Sequence, residues 1–289
     1  MSKRAENPLG YEPIAPLMLK YAIPSIISGL VGAIYNIVDQ LFIGRGVGML
    51  GNAATNVAFP LVTFTIAMSL LIGVGTASNF NLQLGARNEE KAKRIFGTGI
   101  SLSIIFGLII TFFAIMLLPK LLIIFGSTEE VYPYAIEYAS ITTKGTLFLM
   151  ASIVFPILIR ADGSPRFAMI VALTGAILNM ILDPIFIFIF NMGIAGAAWA
   201  TVISQAVSTI MGVYYFLVKL QSFDLTRSMF NPVQKCSRFS CALDIFKLGL
   251  SPLVNHFSIM IMTIVLNQSL NYYGKLSALV AQYPWLWSE

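Results

Sequence analysis

Residues 179–190 read NMILDPIFIFIF. After Asn179, only Asp183 and Pro184 interrupt the apolar residues. Read outward, the run extends from 167 to 190, longer than the roughly 20 residues that cross a bilayer as a helix. Six further stretches have the same character: 17–43, 53–81, 95–118, 132–159, 194–218 and 243–272. The 289 residues are 57% hydrophobic and 11% charged, with mean hydropathy +0.81. A soluble domain carries about 25% charged residues, so the surplus apolar surface belongs in lipid. Short alternating segments of the β-barrel kind are missing from the pattern, and Pro24 and Asp39 interrupt the first stretch too much for a cleaved signal peptide. The expected fold class is an all-α polytopic membrane protein.

Lys and Arg set the expected orientation. With the N-terminus inside, the inner segments hold Lys3, Arg4, Lys20, Arg87, Lys91, Lys93, Arg94, Arg160, Arg166, Lys219, Arg227, Lys235, Arg238 and Lys247. The outer side holds Arg45, Lys120 and Lys275, and Lys144 falls within the fourth span. This bias accounts for the net charge of +5 without a nucleic-acid partner. Cys236 and Cys241 lie in the longest polar segment, 219–242, beside the turn signal Asn231-Pro232. With one His in the chain they make no metal cluster, and both read as inert.

The seventh span resembles the first. A shift of 228 residues carries Pro24, Asp39 and Gly46 onto Pro252, Asn267 and Gly274. Six crossings separate the two, an even number, so the repeat would re-enter the membrane in the same direction, as in transporters built of parallel repeats. The expected organisation is a six-helix N-terminal lobe over 1–218, a cytoplasmic inter-lobe loop over 219–242, and the first helix of a truncated second lobe over 243–289.

Acids at membrane depth are costly, on the order of 2.5–3.5 kcal/mol on insertion scales, and Asp39 and Asp183 are the two that fall well inside the spans. Asp39 lies about five residues from the outer end of the first span and Asp183 about seven from that of the fifth, so their depths agree within about 3 Å. Spans one and five run in the same direction, which makes a shared pocket geometrically possible. Tyr35 precedes Asp39 by four residues and Asn179 precedes Asp183 by four, so each pair shares a helix face. Asn36 and Gln40 add amides on the first span. Thr201, Ser204, Gln205 and Ser208 form a polar stripe on the sixth.

A plainer reading competes at each acid. Asp followed by Pro is a capping pattern, so Asp183 can cap the outer half of a helix broken at Pro184, and Asp39 can be satisfied by its Tyr and Asn neighbours. The break and a coupling role also coexist, because freed carbonyls beside a carboxylate suit a cation or proton. His256, Glu137 and Lys144 read as packing or snorkelling residues. The sequence holds no Walker-type phosphate loop, metal-ligand spacing or nucleophile elbow. The expectation is a protein that is no enzyme and needs no cofactor.

The stretches IVDQLFIGRGVG (37–48), QLGARNEEKAKR (83–94), RADGSPRFAM (160–169), LNMILDPIFIF (178–188) and MGIAGAAWATVISQ (192–205) resemble the multidrug and toxic compound extrusion (MATE) transporters, of the bacterial multidrug exporter type. The likeness runs from about residue 13 to 275. It implies twelve helices in two pseudo-symmetric lobes, which export cationic or amphipathic drugs against an inward proton or sodium gradient. It implies that Asp39, Asn179, Asp183 and Thr201 form the ion-coupling site, with Tyr35 one turn before the first acid. Tyr35, Asn36, Gln40 and Gln205 are the expected substrate or network residues. The expected location is the bacterial inner membrane, N-terminus cytoplasmic, with small molecules and lipid as partners. Two other readings stand beside this one: a lipid-linked oligosaccharide flippase of the same superfamily, whose mark would be cations lining the cavity, and an inactive membrane fragment.

Overall fold

The structure, a computed structural model, describes residues 13–220 and 238–282, with side chains over 13–220 and 240–273. The described chain is helical between its turns: α1 Ile14–Gly46, α2 Met49–Gly85, α3 Glu89–Ile124, α4 Tyr132–Lys144, α5 Thr146–Ala161, α6 Pro165–Pro184, α7 Gly193–Tyr214 and α8 Arg238–Gln282. One wide (π) turn follows α6 at Ile185–Ile189 and another follows α7 at Tyr215–Lys219. Six helices are long and apolar enough to cross a membrane, counting each wide turn with its helix, and α4 with α5 makes a seventh, bent by 54°. The protein is a multi-span, all-helical membrane protein. The helices outrun the apolar stretches at both ends because polar residues stop a hydropathy reading without stopping a helix.

Local chemistry explains the turns. Gly48, Gly126 and Gly163 adopt φ of +88°, +96° and +93° between helices, a region that L side chains avoid. Asn88 caps α3, its Oδ1 accepting from the Lys91 N–H at 3.2 Å, and Glu89 and Glu90 follow in the first turn, where negative charge suits the helix dipole. Pro165 opens α6 at a position where a missing N–H costs nothing.

The structure differs from expectation at two points along the spans. The fourth span is kinked at Gly145, where the backbone leaves helical geometry (ψ −1°). A Cβ there would lie 2.5 Å from Val202 Cγ2, so only glycine lets α7 pack into the bend. At Pro184 no break occurs. The ring removes one donor, yet the chain stays helical and widens instead, with the Phe190 N–H donating to the Ile185 carbonyl five residues back at 2.9 Å. Asp183 is the penultimate residue of α6 and caps nothing. The capping reading is thereby corrected.

Two apolar cores frame the bundle. One gathers Phe80, Phe96, Phe155, Tyr215 and Phe216 near the α2–α3 and α5–α6 turns; the other gathers Ile43, Ala54, Leu122, Phe125 and Ile187 at the opposite end. Helix α8 lies along α2 and reaches α3. A Cβ at Gly75 would collide with the Ile245 carbonyl, and one at Gly249 with the Leu71 carbonyl, so backbone meets backbone at this crossing. Lys91 pairs with Asp244 at 3.4 Å, and at the far end the Gln268 amide donates to the Ile124 carbonyl at 2.6 Å. Helix α8 begins at Arg238, inside the expected inter-lobe loop. Residues 221–237 of that loop, with Cys236, lie outside the described residues, while Cys241 is a buried free thiol.

Candidate functional site

Between the two cores the helices turn polar faces toward one another. Along α2 the core that holds Ile43 ends at Ala58 and the core that holds Phe80 begins at Ile72. Along α7 the gap falls between Ala198 and Tyr215. A cavity of about 820 Å³ occupies this level, walled by α1, α2, α4, α5, α6 and α7. Hydroxyls and amides dominate its polar lining, including Thr55, Thr142, Asn179 and Ser204; Asp39 is the acid that reaches it, and none of the lining residues is a Lys or Arg.

The carboxyls of Asp39 and Asp183 come together at the α1–α6 seam, close enough to interact electrostatically. Asp39 is 8% exposed and Asp183 fully buried, so Asp183 sits behind the cavity wall that Asp39 and Asn179 form. The Gln40 amide donates to Asp39 Oδ2 at 3.3 Å, and the Thr55 hydroxyl donates to Gln40 Oε1 at 3.2 Å. Among the described residues Asp39 Oδ1 has no hydrogen-bond donor. A buried carboxyl oxygen without a donor, beside a second carboxyl, favours a proton or a cation at the pair.

Asn179, 2% exposed, bridges α6 to α7. As placed, its Nδ2 donates to Asp183 Oδ1 and Thr201 Oγ1, both at 3.3 Å. Turning the amide over serves the network better: Nδ2 donates to Asp183 Oδ2 at 3.0 Å and the Thr201 N–H donates to Oδ1 at 3.2 Å. Tyr35 faces both carboxyls from α1. Asn36 and Gln205 line the same cavity, but the Asn36 amide donates to its own helix, to the Gly32 carbonyl at 2.7 Å. Five of the residues singled out in sequence thus meet at the pair: Asp39, Asp183, Asn179, Thr201 and Tyr35. Gln40 joins them through Asp39.

Sequence reasoning missed Tyr138. It is buried on α4, lines the same cavity, and lies close to Asp39, Asp183, Tyr35 and the Thr201 hydroxyl. Its signal was the helical spacing Ala135, Tyr138, Ala139, Thr142, which marks an inward face; Glu137 and Lys144, the polar residues that drew notice on this span, are exposed. His256 lies on α8, half-buried and outside the cavity lining.

The family model MatE matches residues 24–185, from within α1 to the end of α6, and includes both acids. The chain belongs to the MatE family. Multidrug export protein MepA of Staphylococcus saprophyticus is 26% identical over 270 residues, covering 92% of this chain and 57% of that protein. The Staphylococcus aureus protein of the same name is 26% identical over 271 residues, covering 94% and 58%. Among solved structures, an outward-facing multidrug resistance MATE family transporter of the MOP superfamily is 30% identical with TM-score 0.77, over 84% of this chain and 53% of that one. An inward-facing counterpart is 30% identical with TM-score 0.75, over 86% and 56%. The chain spans about 57% of the length of the curated relatives it matches. It is a member of a family of transporters, not of enzymes.

Proposed function

We propose that this chain supplies the ion-coupled lobe of a secondary antiporter that exports cationic or amphipathic compounds in exchange for protons or sodium. The observation that carries the reading is the Asp39–Asp183 pair, buried in an apolar bundle with an unpartnered oxygen at a polar cavity. Such a pair is stable in either of two states, with a proton or sodium ion between the carboxyls, or with a positive charge in the cavity beside Asp39. The coupling ion and a cationic substrate therefore compete for the same negative charge. Asn179 and Thr201 orient Asp183, while Gln40 and Thr55 orient Asp39. The cavity volume suits a drug-sized molecule, since ligand pockets run about 300–1,000 Å³. The names of the staphylococcal relatives, multidrug export proteins, support the substrate class.

In this reading residues 1–218 are the first lobe and α8 opens a second, related by a parallel repeat, and alternating access rocks the two against each other. The N-terminus is cytoplasmic and the membrane is the bacterial inner membrane. The flippase alternative fares worse, because a pyrophosphate calls for cations and the cavity lining contains none.

The test is proton release on adding ethidium to the purified protein, for wild type, Asp39→Asn and Asp183→Asn, with and without sodium. Release in wild type that disappears in both variants is the expected result. Dye binding that leaves pH untouched and ignores sodium in all three would sink the coupling role.

A further inference from the structure

A second polar feature lies on the outer surface of the bundle, at the end where the α5–α6 turn meets the end of α7. Arg166, Ile170, Ile177 and Ile181 recur at helical spacing along α6, and all four are exposed. On α7 the exposed residues Ile210, Val213, Leu217 and Val218 run to Lys219. The two helices pack side by side, and aromatic rings bring their ends together. The Lys219 ammonium stands 5.0 Å from the Phe167 ring centre and 5.8 Å from that of Tyr214, and Phe167 leans on Tyr215 at 5.0 Å. Arg166 precedes Phe167 in the first turn of α6 and is exposed, so a second cation lies at the same end of the helix pair as Lys219. Neither has a carboxylate partner among the described residues, and Asp162, the acid of that turn, is buried and accepts from the Tyr215 hydroxyl at 2.6 Å.

We propose that this α6–α7 groove binds one anionic phospholipid, its phosphate between Arg166 and Lys219 and an acyl chain along Ile170, Val213 and Leu217. Each part of the groove fits a part of that ligand. An exposed aliphatic channel on membrane-crossing helices can face only acyl chains or another apolar partner. Two cations with no carboxylate partner among the described residues lie at its end, at headgroup depth, where a basic pocket between helices selects negative lipids. Phe167 and Tyr214 hold the Lys219 stem in place by cation–π contact, so little side-chain freedom is lost when phosphate binds. The site is separate from the cavity and does not depend on the antiport reading.

Lipid titration into phosphatidylcholine nanodiscs, read by native mass spectrometry, tests this directly with phosphatidylglycerol as the probe. Removing one cation in Arg166→Gln should weaken retention roughly fivefold, and Arg166→Gln with Lys219→Gln roughly thirtyfold. The pair Arg87→Gln with Lys247→Gln, exposed cations elsewhere, should stay near wild type. Soluble glycerol phosphate should displace little lipid, because it lacks the chain that the groove holds. Equal losses in the two double variants would reduce the effect to general surface charge and overturn the proposal. So would unchanged retention in Arg166→Gln, whose exposed side chain makes misfolding an inadequate explanation, or full displacement by glycerol phosphate.

Discussion

At the scale of single residues, the paired acids are a liability that the bundle tolerates. Two carboxyls with one unpartnered oxygen gain nothing from packing, and burying an unpaired charge costs several kcal/mol unless something neutralises it. Asp183→Asn keeps the shape and removes one negative charge. We expect its melting temperature in detergent to equal or exceed that of wild type, while ethidium-driven proton release is lost. A melting point lowered by several degrees would mean that Asp183 is chiefly structural. Tyr215→Phe should behave in the opposite way. It removes the 2.6 Å bond to buried Asp162 and should cost about 1–3 kcal/mol, visible as a lower melting point, with the Asp39–Asp183 pair untouched.

At the scale of elements, glycine decides which helices touch. The crossing of α2 and α8 depends on Gly75 and Gly249, where any Cβ runs into a carbonyl of the other helix; small residues allow this close approach where lipid offers no hydrophobic drive. Gly249→Val should destabilise by about 1–3 kcal/mol through overpacking and speed hydrogen exchange along α8. Gly29→Ala is the contrast: nothing lies within 4 Å of its Cβ position on α1, and Ala is the better helix former by up to about 1 kcal/mol. Stability should hold or rise, as chemical denaturation would register. The spans themselves were legible in sequence, because about 20 apolar residues with few charges can do little else. The kink at Gly145 was not, because it depends on Val202, 57 residues away in the chain. The widened turn after Pro184 was misread as a break for a related reason: proline forbids one hydrogen bond, but only neighbouring packing decides whether a helix ends or widens.

At the scale of the whole molecule, the charge bias of the turns predicts the orientation. In a variant with Cys236→Ser and Cys241→Ala, Arg87→Cys should react with an impermeant maleimide only from the cytoplasmic side, and Glu129→Cys only from outside. The reverse pattern would invert the proposed topology while leaving the fold intact.

The division between sequence and tertiary structure follows from the range of the forces involved. Hydropathy is local and additive along the chain, so the amino-acid order alone determined that this is a membrane protein of about seven helical crossings. Helical periodicity is also local, and it placed Asn179 with Asp183, and Tyr35 with Asp39, on shared faces. Whether those two faces meet depends on how helices pack across the bundle. Only the tertiary structure joined Asp39 to Asp183, brought Tyr138 to Thr201 from another helix, left one oxygen of Asp39 without a donor, and set Lys219 over the ring of Phe167.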